Sequence, residues 1–529
     1  MPSTRGSFFT DWRDRQQENS TSRTLTITPS FSTSANAQYQ DTLRIDITSN
    51  LPAVTIPYYL TDLTDDYFLS GTANGNITID GDGNANITFQ IDPFYDLANT
   101  YITRTTKFVL SNDYPNSIIG STGNLEISNA DTFDATGWEE SNITASLDGL
   151  QGGYRLHKLV GLTTEQVGNV GGRDASDNVV SNLTVNSLGS DPANTDIEIL
   201  IVGAGAQGGN GGYRKRKTTS PSTLNYVSSI SGAGGGGGEV VTVDLKANVF
   251  IANTTYPGNV ANATYRVSTF DSATQQPVSG ANSSFLGYTA VGGGHGGGQT
   301  PYSGVSWQGY IDADSGGSGG GAYAAVMKGL TANAGLSIAN VTYGNGEDGG
   351  IGDYEWYGAF GNPLFTFTDY TFGMTPGNYR YKMVGGGGGG ATEAGGNSSI
   401  SLSFPTVSGT AGDGGEGFTS NISGSTEVYG SGGGAGGMAS SVTPGTGGTN
   451  AGTGGTWNES NTGGDSTHPE PRGGYGNVHL GAGGGGGGVP DEYPLVFNTD
   501  NGLVSLGGRG SDGVIMMRYL SQVRTIKSE

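Results

Sequence analysis

The chain has 529 residues, 98 of them glycine and none cysteine, with 26 Tyr, 18 Phe and 5 Trp; 24 basic and 47 acidic residues give a net charge of −23. Without cysteine there is no disulfide, thiolate metal site or cysteine nucleophile, which suits folding in a reducing cytoplasm. The acidic balance argues against nucleic-acid binding, because phosphate contacts need Lys and Arg. No run of eighteen apolar residues occurs and the first twenty residues are polar and charged. The expectation is a soluble chain with no membrane insertion and no export signal. Glycine is uneven, with 16 in residues 1–198 and 82 in residues 199–529. No third-position period supports collagen, and a disordered glycine linker would not carry so many large rings.

Residues 1–23 form an arm in which Phe8, Phe9 and Trp12 sit among Arg5, Arg13, Arg15 and Arg23. Three large rings are costly to leave in water, so Phe8, Phe9, Trp12, Arg13 and Arg15 are candidates for docking onto a partner, against the plainer reading of a frayed terminus. From Thr24 the pattern changes to short alternating strands: 24–27, 42–47, 54–60, 76–79, 87–91 and 107–111. Turn signals about every ten residues predict an antiparallel β-sandwich over 24–128. Gln40–Leu43, Asp65–Phe68, Gly75–Asp80, Asn84–Ile91 and Thr106–Ser111 follow the order of Calx-beta-like modules, which this segment resembles. That likeness implies an immunoglobulin-like sandwich. Asp80, Asp82 and Asn84 alternate as calcium ligands do, but the glycine and distal glutamate of such a loop are missing, so an Asp-Gly hairpin is expected.

Residues 129–196 read as a connector or small β-rich domain, with Trp138, Tyr154, Leu156 and Val160 as apolar anchors, a helical turn at 163–166 and a strand at 178–186. The strand Ile197–Val202 then runs into Gly203-Ala204-Gly205-Ala206-Gln207-Gly208, a literal GxGxxG. A dinucleotide site needs a helix there to hold the pyrophosphate. Gly209–Gly212, a basic run and Thr-Thr-Ser-Pro-Ser follow instead, and no helix passes through that composition. Glycine runs recur at 203–212, 232–238, 292–298, 316–321, 385–390, 432–437 and 481–488, separated by inserts of unequal length. A run of six in an extended three-fold helix rises about 3.1 Å per residue, and its bare backbone can bond to neighbours in several directions. Every buried amide needs a partner, so such runs must bundle. The expectation over 197–520 is a glycine-rich β/polyglycine-II-type domain with long inserted loops, followed by a tail at 521–529.

Ile199–Gly203, Gly234–Leu245, Ser283–Phe285 with Thr289–Gly292, Gly481–Gly488 and the ending Gly507–Tyr519 resemble the glycine-rich domains of phage tail-fibre proteins. Met516 and Met517 stand where that family usually has an isoleucine–valine strand. The resemblance implies stacked polyglycine-type strands with receptor-reading loops at one end.

For chemistry the sequence offers little. His157, His295, His468 and His479 have no metal-ligand spacing, and neither HExxH nor GxSxG is present. The pairs Asp312 and Asp314, and Asp353 and Glu355, are the nearest to a glycosidase acid pair, without further support. No enzyme, cofactor or metal is expected. Aromatic residues on the inserts are better candidates, because ring faces stack on sugars and anchor protein contacts: Tyr302, Trp307 and Tyr310 on one, Tyr354, Trp356 and Tyr357 on another, and Trp457 on a third. The tetrad Arg214–Lys217 is either a solvated turn or a contact for anionic surface glycan. The combined expectation is an all-β phage virion protein, assembled in the host cytoplasm. Its arm would dock on other virion proteins and its loops would bind a host surface glycan or outer-membrane protein. The alternative is a head, neck or tail decoration protein without a dedicated receptor. A homo-oligomer is expected, a trimer being compatible with fibre symmetry.

Overall fold

The computed structural model describes residues 23–31, 42–49, 54–63, 68–91, 104–110, 117–118, 122, 125–129, 132–143, 153–162, 178–189, 191–216, 225–262, 277–299, 310–311, 313–322, 344–349, 353–357, 378–403, 406–438, 441–456, 473–477, 479–489, 503–521 and 524–528. Among them there is no α-helix, and the fold is all-β.

The N-terminal part is a sandwich whose strands bury alternate residues. Along Thr42–Ser49, Leu43, Ile45 and Ile47 are buried, while Arg44 and Asp46 face solvent and pair at 2.8 Å. Facing it, Thr55–Leu60 buries Ile56, Tyr58 and Leu60. Period-two alternation with one apolar face allows only one register, since a one-residue slip would put all three in water. The Tyr58 ring stacks on Phe108 with centroids 5.2 Å apart and meets Phe89 edge-on at 5.9 Å. The turn at 80–84 differs from the expected hairpin: Asn74–Thr78 lies in the sheet with Thr55–Leu60, whereas Asn84–Ile91 lies in the sheet with Thr42–Ser49. It is a crossover between the two layers. The Asp80 carboxylate accepts from the N–H groups of Asp82 and Asn84 at 3.0 and 2.8 Å, an Asx-type local bond that fixes the turn. A third sheet joins Leu125–Asn129 to Arg524–Ser528, so residues 524–528, read from sequence as a tail, pair with the N-terminal part.

A second sandwich draws on distant segments. One sheet orders the strands Phe133–Thr136, Val179–Leu188, Thr254–Val260, Ser283–Phe285 and Tyr288–Ala290; the other orders Glu139–Ile143, Tyr154–Val160, Val514–Leu520, Asp196–Val202, Val240–Lys246 and Gly344–Asn345. The strands of 129–196 therefore share sheets and a core with strands beyond 197 rather than standing apart as a connector. Phe133, Leu183, Ile199, Val241, Phe285 and Tyr519 meet in that core. Every residue of Val514–Leu520 is buried. Its two methionines serve opposite faces: Met517 belongs to the sandwich core, and Met516 packs with Leu200, Val240 and Tyr429 on the other side. Unbranched thioethers fill both spaces without a demand on shape.

Polar groups in this core are chained. The fully buried His157 bonds the Gly137 carbonyl through Nδ1 and the Tyr519 hydroxyl through Nε2, both at 3.0 Å, and that hydroxyl accepts the Ala135 N–H at 3.0 Å. With a neutral imidazole, Nδ1–H donates to Gly137 and Tyr519 donates to Nε2, so every hydrogen in the chain has an acceptor. Burial pushes the His157 pKa down and the Tyr519 pKa far above the ordinary tyrosine range.

Beyond the second sandwich, the glycine runs form a lattice. The run 232–239 shows its rule. N–H groups of Gly232, Gly235 and Gly238 donate to carbonyls of Gly487, Gly484 and Gly481; those of Ala233, Gly236 and Glu239 donate to Gly297, Gly294 and Val291; those of Gly234 and Gly237 donate to Gly386 and Gly389. The donors turn to a new neighbour at each residue and return every third, the period of a polyglycine helix with three residues per turn. Carbonyls of the same run accept from 203–209, from 433–436 and from 318–321. Six neighbours surround one strand, and backbone bonds hold all of them. Side chains are excluded by distance: a Cβ added to Gly234 would lie 1.8 Å from the Gly433 oxygen, and one on Gly237 would lie 2.0 Å from the Gly430 oxygen. Glycine is required here for close approach, and its entropic cost, about 0.5–1 kcal/mol per residue against alanine, is offset by the shared bonds.

Candidate functional site

The lattice has two ends of different character. At its near end the runs continue into the second sandwich, through Val202 to Gly203, Glu239 to Val240 and Gly513 to Val514. At its far end they continue into a separate five-stranded sheet, ordered Asp353–Tyr357, Asn378–Val384, Asn225–Ile230, Gly211–Arg216 and Leu503–Ser505. Gly211–Arg216 prolongs the run 203–210, while Asn225–Ile230, Asn378–Val384 and Leu503–Ser505 lead into the runs starting at 231, 385 and 506. The lattice dictates this sheet: strands entering packed runs at one level can pair with each other as soon as their sequences regain side chains. Asn225–Ile230 and Asn378–Val384 both head toward the lattice and accordingly pair in parallel.

This far sheet brings together two features that the sequence leaves separate. Tyr354, Trp356 and Tyr357, read there as insert residues, lie in a strand at the sheet edge. Arg214, Lys215 and Arg216 of the basic tetrad lie in the same sheet. The tetrad is therefore strand rather than turn for three of its four members; Lys217 lies outside the described residues. The register aligns Arg214 with Ser228, Tyr381 and Trp356 across four strands, and Lys215 with Val227, Arg380 and Tyr357 in the next row. Asp353 and Glu355 share the edge strand with the aromatics, two residues apart.

The remaining candidates are placed less fully. Tyr310 pairs with Gln299 in the two-stranded stem of its insert. That stem begins at Gly298, beside Asn210, at the far end of the lattice. The segment 451–456 that precedes Trp457 also runs to the far end, where Gly455 donates to Gly486. Tyr302, Trp307, Trp457, Asp312, His468 and the arm residues Phe8, Phe9, Trp12, Arg13 and Arg15 lie outside the described residues, as does the expected helical turn at 163–166.

Elsewhere the chemistry is structural. The six N–H groups of Gly203–Gly208 donate to carbonyls of Glu239, Ala281, Ser511, Gly236, Val278 and Gly508. None remains for a pyrophosphate, which is why this GxGxxG is a lattice strand and not a nucleotide loop. His295 lies within its run, its backbone N–H on Ser279 Oγ at 3.2 Å and its carbonyl accepting from Asp314 at 3.0 Å; burial lowers its pKa. The Asp314 carboxylate accepts from the Ser279 hydroxyl at 2.6 Å. His479 bonds the buried Asp512 through both its backbone N–H and Nδ1, closing the turn before Gly481. A cleft of about 390 Å³ lies over the outer face of the six-stranded sheet, lined by Glu198, Leu200, Asp244, Phe418, Asn421 and neighbours. Glu198 and Asp244 face each other in register, but Glu198 is bound by the buried Arg518, which also donates to the Asn421 carbonyl at 2.9 Å. Among the described residues no three His, Asp or Glu converge as a metal site requires, and no helix is long and apolar enough to cross a membrane. No protein-family model matches the chain, and comparisons with curated proteins and with solved structures return no match.

Proposed function

We propose that the chain is a phage virion structural protein, a tail-fibre or adhesin component whose polyglycine lattice carries a host-binding surface. The observation that carries this reading is the arrangement of the lattice: backbone bonds fix its strands, and the aromatic and basic residues gather where those strands emerge at the far end. A lattice without side chains buries little apolar surface, so its use is mechanical. It holds several chain segments at fixed spacing and leaves their extensions free to vary, which is the economy of a recognition scaffold. In this reading the Calx-beta-like sandwich and the arm 1–23 face the particle, the arm docks on other virion proteins, and the protein works as a homo-oligomer, a trimer being compatible with fibre symmetry. No enzymatic step is part of it.

The test is immunogold electron microscopy of the encoding phage with antibody to the full-length protein, together with competition of adsorption by soluble protein. Gold at fibre tips and inhibited adsorption support the reading. Gold on the capsid or neck with unchanged adsorption replaces it with a decoration role, and unlabelled particles overturn both.

A further inference from the structure

We propose that the far sheet binds an anionic polysaccharide, a specification that rests on the adhesin reading above. Three observations carry it. The first is charge. The five strands of this sheet hold five of the 24 basic residues of the chain and only two of its 47 acidic ones. Period-two alternation places Arg214 and Arg216 on one face with no acidic residue, and Lys215, Arg380 and Lys382 on the other with Asp353 and Glu355. Two positive charges on the first face of a chain of net −23 make a patch able to attract an acidic ligand that the rest of the molecule repels.

The second is register. Arg214 shares a row with Tyr381 and Trp356, Lys215 shares one with Arg380 and Tyr357, and Arg216 shares one with Tyr226 and Tyr379. Each row thus combines a cation with an aromatic residue across strands about 4.8 Å apart; the Arg214 and Arg216 rows share one face, about 6.8 Å apart, and the Lys215 row lies on the other. Such a grid matches a ligand that presents acidic groups and flat C–H faces in alternation. Sugar rings bearing carboxylate or sulfate do this, with rings stacking on aromatics and acidic groups on the two arginines.

The third is the modest charge of that face. Duplex DNA carries a charge about every 1.7 Å, and its binding surfaces are strongly basic overall. A surplus of two on one face of an acidic protein suits a polymer with one charge per one or two sugars.

The experiment measures binding of the full-length protein to immobilised polygalacturonate, heparin and neutral dextran, with a single-stranded oligonucleotide as competitor. The variants are Arg214→Gln with Arg216→Gln, and Trp356→Ala, each checked for an unchanged unfolding midpoint. The expected result is binding to one or both acidic polymers and not to dextran, weakening at least about tenfold from about 50 to about 200 mM salt. The double arginine variant binds about tenfold more weakly with a shallower salt dependence, whereas Trp356→Ala weakens binding with the salt dependence intact. The two acidic polymers separate a carboxylate from a sulfate ligand. Equal binding to dextran, folded variants that bind like the wild type, or preference for the oligonucleotide over both polymers each overturn the proposal. Host adsorption that survives the variants refutes this ligand assignment and leaves the adhesin reading standing. Polysaccharide binding without any host adsorption does the reverse.

Discussion

Replacing Gly234 by alanine tests the lattice at one of its tightest contacts. The new methyl would stand 1.8 Å from the Gly433 oxygen, 2.6 Å from its carbon and 2.7 Å from the Gly388 nitrogen, all backbone atoms that cannot rotate away. To reach an ordinary separation the runs around 234 and 433 must part by more than about 1 Å. Three bonds span that contact: Gly433 N–H to Gly235 O at 2.8 Å, Gly388 N–H to Gly433 O at 2.9 Å and Gly234 N–H to Gly386 O at 3.0 Å. Weakening them costs about 1 kcal/mol each, with up to about 1–3 kcal/mol more for any group left buried without a partner. The gain from a stiffer unfolded chain, about 0.4–1 kcal/mol, does not offset this, so a net loss of about 3–6 kcal/mol is expected. Urea unfolding read by tyrosine and tryptophan fluorescence and by protease resistance of the lattice measures it. Gly81→Ala is the matched control: nothing lies within 4 Å of its added methyl, and its stability should stay within about 0.5 kcal/mol of the wild type or rise slightly. If Gly234→Ala unfolds within about 1 kcal/mol of Gly81→Ala, the close-packed account of the runs is wrong.

Other consequences follow from the second sandwich. Tyr519→Phe removes the hydroxyl that serves both His157 and the Ala135 N–H, leaving two buried groups without that partner; a loss of about 2–4 kcal/mol in thermal or urea unfolding is expected, and a neutral effect would contradict the chain of bonds. Burial lowers the pKa of His157 and His295 from the ordinary 6.5, so the unfolded chain takes up protons that the fold resists. Stability is therefore present above about pH 6.5 and falls as the pH drops below it, until the folded pKa is passed, at no more than about 1.4 kcal/mol per pH unit for each imidazole. His157→Gln should flatten the difference in unfolding midpoint between about pH 7.5 and 5.5; a pH dependence parallel to that of the wild type would refute the assignment. Arg518→Leu severs the Glu198 bond and the tether to Asn421, and because Glu198 is 35% exposed and can rehydrate, the expected loss is about 2 kcal/mol rather than the 3–5 of a fully buried pair. Protease cleavage should then appear first in the hairpin 418–429, and a variant as resistant as the wild type would contradict the tether.

The sequence made some of this fold legible for clear reasons. Leu43, Ile45 and Ile47 announce a one-sided strand because side chains alternate, and Ile197–Val202 announces a strand because it is continuously apolar. The glycine runs could be recognised as scaffold from their recurrence, yet their neighbours could not be read. A glycine carries no side chain to mark a face, and the pairing of Gly235 with Gly484 spans almost half the chain. For the same reason the far sheet was hidden. Arg214 and Trp356 are 142 positions apart, and only the packing of the runs 203–210, 232–239 and 385–390 sets them in one row. The turn at Asp80 shows the complementary limit: its local bonds were readable as a turn, whereas the change of sheet depends on which partners the flanking strands find. Likewise, nothing in Arg524–Ser528 itself names Leu125–Asn129 as its partner.

Backbone bonds of glycine runs, in place of a side-chain core, hold the far sheet in position. The decisive measurement is hydrogen–deuterium exchange of the full-length protein, resolved over residues 203–209, 232–239 and 481–487. Amides in all three runs should be protected as strongly as those of Val514–Leu520, since each donates to a carbonyl, or for Ala482 to the Ser511 hydroxyl, of a neighbouring segment. Exchange of these glycine amides at the rate of an unfolded chain, with the sandwich strands still protected, would contradict that role of the backbone.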